Sequence, residues 1–149
     1  MIPRNEIGVV TVWQPMAWCI EIGIKKIENR TIEPWKSIKY IAIHAGLKWH
    51  EEHARQLREH MALEIHRDDP RIKHGVILAI AEYAGSIYDS ESPWFSGPVG
   101  WRLDDARVLE PIVATGKQGI WRLSEAEYFQ LHTQLLAGND AWAQKCRDP

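Results

Sequence analysis

Three apolar runs rich in isoleucine and valine constrain the fold most: Ile7–Trp13, Ile38–Ala45 and Gly75–Tyr83. Each has the length and β-branched content of a buried strand. The segments between them are unequal and hold helical patterns of different length. Strands and helices therefore do not alternate as a doubly wound parallel sheet requires. The expected architecture is an α+β fold, a small mixed or Greek-key β-barrel with inserted and flanking helices.

Local signals divide the rest of the chain. Gln14-Pro15 interrupts the first run, and proline suits a first helical position, so a short helix is expected from Pro15 through Ile22. Gly23 falls where a glycine ends such a helix in the left-handed conformation. Lys25–Thr31 alternates, with Ile24 and Ile27 inward. Leu47–Ile65 reads as a long amphipathic helix, its apolar face marked by Leu57, Met61 and Ile65 at four-residue steps. Asp89–Gly100 is a loop carrying Trp94 and Phe95, either a flap with a function or a plug over the core. Gly100–Leu103 and Ala106–Pro111 read as a hairpin through Asp104-Asp105, and Gly119–Leu123 as a last strand. Ser124 with Glu127 fits a capping box opening a helix to Leu136, and Leu123 with Tyr128 fits a hydrophobic staple. Gly138 ends that helix, and the tail to Pro149 is expected to fray. No repeat or linker interrupts the 149 residues, so a single domain, 1–149, is expected.

Charge narrows the function. The net charge of −2 and a pI near 6.4 disfavour a broad basic face for long duplexes, so any nucleic-acid contact is local. No apolar run approaches the roughly 20 residues of a membrane span, and no membrane partner is expected. The N-terminus lacks the regions of a secretory signal, which leaves a cytoplasmic address as the expectation. Cys19 and Cys146 are then free thiols. Of the eight tryptophans, most supply core area and one or two are candidates for stacking on a base.

His50-Glu51-Glu52-His53 spaces its histidines three apart, where a zincin helix needs four. It reads as a solvated helix face; neither a metal nor a cofactor is expected. A Gly-x-Ser-x-Gly elbow and a phosphate-cradling glycine loop are both missing. Candidate chemistry concentrates in Gly23-Ile24-Lys25-Lys26-Ile27-Glu28-Asn29-Arg30, where a base, an acid and a second base follow a glycine. Glu82 joins them as a lone carboxylate in an apolar strand, which either meets a cation or points to water. A lysine held charged among carboxylates anchors a phosphate or polarises a carbonyl, whereas a desolvated one serves as a base.

Gly23-x-Lys25-x-x-Glu28-x-Arg30 resembles the signature of the ASCH (activating-signal-cointegrator homology) domain. Trp13-Gln14-Pro15, Ile41–Gly46, Ser92-Pro93-Trp94-Phe95 with Gly97-Pro98 and Gly100-Trp101, and Gly119–Leu123 resemble its other blocks in order. The resemblance implies a PUA-like β-barrel with a cleft beside it, and an association with RNA or other nucleic acid. It also implies kinship with hydrolases, among them ribonucleases and an amidohydrolase of acetylcytidine. By position, Lys25 matches the signature lysine and Glu82 a strand carboxylate of the amidohydrolase branch. That branch carries a threonine, its proposed nucleophile, where this chain has Glu28, and a carboxylate would act instead as a general base on water.

Three readings follow. In the first the cleft captures RNA or a nucleoside or nucleotide ligand: Lys25 and Arg30 hold phosphate or carbonyl groups, Glu28 or Glu82 reads a base edge, and Trp13 or Trp94 stacks, with Gln14 and His44 as further ligand-binding candidates. In the second Lys25, Glu28 and Glu82 are the acid–base set of a hydrolase. In the third the charges only tie strand to strand.

Overall fold

A computed structural model describes residues 1–149. The three apolar runs form β1 (Ile7–Gln14), β3 (Tyr40–Trp49) and β4 (Val76–Ile87), joined by β2 (Ile27–Arg30), β5 (Val99–Val113) and β6 (Ile120–Trp121). Four helices accompany them: α1 (Met16–Glu21), α2 (Glu51–Met61), α3 (Glu125–Leu136) and α4 (Ala141–Arg147). The strands make one mixed sheet in the order β2-β5-β4-β3-β1-β6, with β1 and β3 parallel and every other pair antiparallel. The α+β architecture is as expected.

The sheet curls without closing. In a flat sheet β2 and β1, four places apart, would lie about 19 Å from each other at 4.7–4.9 Å per strand. Instead Arg30 Nη2 on β2 donates to the carbonyl of Thr11 on β1 at 2.9 Å. No backbone ladder joins these two strands, so a seam runs between them. Two short strands explain it: β6 covers β1 only at Val9 and Val10, and β2 ends at Arg30.

Alternation sorts the side chains. Val10, Val12, Ile41, Ile43, Leu78 and Trp101 fill the concave side. Val9, Ala42, Ile77, Ile80 and Leu109 face the other way and are covered by Leu131 and Leu135 of α3 and by Trp142 and Cys146 of α4. A third cluster, Trp18, Cys19, Leu57, Ile65 and Ile72, packs α1 against α2.

Several local expectations need correction. Asp104-Asp105 is not a turn: β5 runs through it as one strand, Asp105 taking φ 51° while the register against β4 shifts nearby. A bulge absorbs the left-handed residue that a hairpin would have used. Leu47–Trp49 extends β3, because Trp49 pairs with Gln14 and the His50 N–H donates to the Gln14 carbonyl at 2.7 Å. The helix is shorter than expected; His50 caps its start and Ala62, at φ 54°, its end. Ile24 is partly exposed, whereas Ile27 is buried. The tail does not fray, because α4 buries Trp142, whose Nε1 donates to the Asp105 carbonyl at 2.9 Å. The Ser124–Glu127 capping box forms in both directions.

Candidate functional site

The seam between β1 and β2 opens into a cleft of about 340 Å³. Gly23, at φ 84°, turns the chain out of α1, and the Ile24 and Lys25 N–H groups both donate to the Cys19 carbonyl. This turn sends the Lys25 side chain inward, where it is only 5% exposed. Its Nζ donates to the Ile27 carbonyl and lies 3.4 Å from Glu28 Oε1. Glu28 faces the same side of the sheet as its cross-strand partner Trp101 and is 7% exposed. Its Oε2 accepts from Arg30 Nε at 2.9 Å and lies 2.8 Å from Arg30 Nη2 as an ion pair. One carboxylate therefore lies between two cations, and the second cation spans the seam to Thr11.

Burial pushes the Lys25 ammonium below the ordinary lysine range, with Glu28 pulling in the opposite direction. The nearby Cys19 thiol is pushed up to about 12 by burial, so it is no nucleophile near neutral pH.

Two tryptophans stand over this polar floor. Trp13 is 44% exposed and carries Lys48 Nζ at 4.7 Å from its ring centroid. Trp94 sits on the loop between β4 and β5, which Asn29 anchors: Asn29 Nδ2 donates to the Trp94 carbonyl at 2.9 Å, and its Oδ1 accepts from the Ser96 and Gly97 N–H groups at 2.9 and 3.1 Å. The loop is thus a wall of the cleft, tied to the signature strand. On the third side α2 contributes His53 and Gln56. His53 stacks on His50 with ring centroids 3.8 Å apart, and burial, followed by His50 and Lys25, lowers its pKa. No three His, Cys, Asp or Glu side chains converge on a point.

Lys25, Glu28, Trp13 and Trp94 therefore meet at the cleft, with Arg30 bracing Glu28 from behind. Gln14 is fully buried elsewhere; its Nε2 donates to the Lys73 carbonyl and its Oε1 accepts from the Trp18 N–H, pinning the start of α1. His44 lies on the convex face, its Nε2 donating to the Ala114 carbonyl at 2.8 Å and its ring edge-on to Trp121. Glu82 does not meet Lys25. It shares the outward side of β4 with Ile80 and pairs with Lys145 of α4 at 2.6 Å. The expected convergence of Lys25, Glu28 and Glu82 fails because strand alternation places Glu82 across the sheet.

Sequence reasoning missed Asn29, His53 and Gln56. The signal for His53 was present: continuing the four-residue steps of Leu57, Met61 and Ile65 backwards reaches it.

No protein-family model matches the chain, and a search of curated proteins finds no match. Solved structures do match. The ASCH protein of Zymomonas mobilis aligns at TM-score 0.52 and 17% identity, covering 87% of this chain and 95% of that one. Two mutant forms of it align at TM-scores of 0.52 and 0.51, with 18% and 17% identity, covering 89% and 86% of this chain and 98% and 97% of theirs. The fold of this chain, an α+β sheet open along one seam, matches that of the Zymomonas mobilis ASCH protein.

Proposed function

We propose that the cleft binds a nucleotide or an unstacked base of RNA. The observation that carries this reading is the pairing of aromatic walls, Trp13 and Trp94, with a polar floor of Lys25 and Glu28. A base has an apolar face for stacking and a polar edge for hydrogen bonding, and this cleft offers both. Its volume lies at the low end of the 300–1,000 Å³ usual for small-ligand sites, which suits one nucleotide better than a long strand. Lys48 on the rim of Trp13 and the seam-spanning Arg30 supply positive charge locally, in a chain of net charge −2. Titrating the protein with the four ribonucleoside 5′-monophosphates while following tryptophan fluorescence tests it. Saturable quenching by at least one of them, lost in Lys25→Ala, is the expected result. Saturable binding that Lys25→Ala leaves unchanged would refute the cleft.

A second reading, hydrolysis, is favoured by the downward shift of Lys25, since a neutral amine accepts a proton. Acting on an acetylated nucleobase amine, Lys25 would take a proton from water as the hydroxide oxygen bonds the acetyl carbon. The carbon–nitrogen bond then breaks, the proton passes to the leaving amine, and acetic acid departs, losing its own proton to solvent. With Glu82 across the sheet, Lys25 and Glu28 alone compose that set. Mass spectrometry of a short RNA carrying acetylcytidine reports acetyl loss and backbone cleavage together. A product present with wild type and missing with Lys25→Ala establishes an enzyme.

A further inference from the structure

Beside the cleft lies a second cavity of about 130 Å³, which shares Met16, Gln56, Pro93 and Trp94 with it and adds Leu57, His60 and Met61. We propose that this annex is a subsite for the neighbouring base, so that the ligand is a dinucleotide step of single-stranded RNA and not a free nucleoside. The inference rests on the reading of the cleft as a nucleotide site.

Helix α2 makes the two cavities one groove. His53 and Gln56 face the cleft; Gln56, Leu57, His60 and Met61 face the annex. Positions 53, 56, 57, 60 and 61 form a single stripe of a 3.6-residue helix, about 12 Å long at 1.5 Å per residue. The opposite wall is Trp94, which belongs to both cavities and is held by the three hydrogen bonds between Asn29 and its loop.

The chemistry changes along that groove. The cleft end is polar, while the annex is lined by the thioethers of Met16 and Met61, the Trp94 ring and Leu57. Sulfur and indole are good partners for a π-face, and base stacking on aromatic side chains tolerates any base. Gln56 lies where the cavities join, and its amide N–H, 3.5 Å from Glu52 Oε1, can turn to donate to the phosphodiester that links two nucleosides. The outward face of α2 carries no free positive charge: Arg55 pairs with Glu52 and Glu59, and Arg58 with Glu51. Nothing along α2 would therefore hold a longer strand, and recognition stops at the step inside the groove.

Calorimetric titration of mononucleotides and ribodinucleotides against wild type, Met61→Ala and His60→Trp tests this. His60 is exposed, so its replacement leaves the core alone while a bulky ring fills the annex. A dinucleotide should bind wild type about tenfold tighter than its mononucleotide, the gain of one stacked base. In both variants that ratio should fall to about one. A ratio of one in wild type, or a tenfold ratio kept by His60→Trp, overturns the subsite while leaving the cleft standing. Equal affinity for an N-acetylated mononucleoside and a dinucleotide would assign the annex to the acyl group instead. Binding of neither class overturns the nucleotide reading itself, and the subsite with it.

Discussion

Arg30 and Thr11 are four strands apart in the sheet, and the guanidinium of one donates to the carbonyl of the other at 2.9 Å. The same guanidinium grips Glu28 through two of its nitrogens. A planar fork is suited to serving two acceptors at once, which an ammonium on a flexible stem does poorly.

Arg30→Ala should therefore cost about 2–3 kcal/mol, since bonds to charged groups contribute about 1.5–3 kcal/mol each and this side chain is mostly buried. Arg30→Lys should recover less than half of the loss. Urea unfolding curves measure both, and an Arg30→Ala protein within 0.5 kcal/mol of wild type would mean the seam closes by other means.

Glu28 should matter more to stability than Lys25. Glu28→Gln leaves the buried Lys25 and the partly buried Arg30 without a counter-charge, at a cost of about 3 kcal/mol. Lys25→Met keeps the Glu28–Arg30 pair and fills similar space, so it should cost about 1 kcal/mol or less while removing ligand binding. A reversed order in thermal or urea denaturation would contradict the network as described.

Asn29 offers a finer test. In Asn29→Ala the Ser96 and Gly97 amides lose their acceptor, and their hydrogen exchange should accelerate at least tenfold. Asn29→Asp retains that acceptor but cannot donate to the Trp94 carbonyl. It should protect both amides and still weaken the ligand, because the Trp94 wall is loosened. Unchanged exchange in the alanine variant would show that the loop is held elsewhere.

His53 makes stability depend on pH. Burial, with His50 and Lys25 adding to it and Glu52 and Glu28 opposing, holds its pKa below the ordinary 6.5. Between that lowered value and 6.5 the unfolded chain binds more protons than the folded one. Stability therefore rises with pH across this window and is lost as pH falls through the folded pKa. Thermal midpoints at pH 7.5 and 5.5 should differ more for wild type than for His53→Gln. An equal difference in both proteins would remove His53 as the source.

The frame of the molecule was legible because β1, β3 and β4 are runs of β-branched residues with few competing structures, and because Ser124 and Glu127 announce their helix. What misled was local chemistry overruled by distant partners. Asp104-Asp105 has turn composition, yet β4 pairs with it across a bulge. Leu47–Trp49 suits a helix, yet Gln14, far away in sequence, holds it extended. The signature named Lys25, Glu28 and Arg30 as neighbours. Glu82 needed the sense of strand alternation; His53 stood on the four-residue steps of Leu57 and Met61, but that this face of α2 lies along the cleft was not legible. The last helix was not foreseen at all: Asp140 caps it by accepting from the Ala143 N–H, and it buries Trp142.

The unclosed seam also sets what entry costs. Elsewhere a guest pushing between two strands would tear amide ladders that reform only together. Between β1 and β2 the fastening is the bond from the Arg30 side chain to the Thr11 carbonyl, released by rotating a few torsions. The sheet can breathe at that one line while the rest of the framework holds its registration, so admission and release need not wait on unfolding.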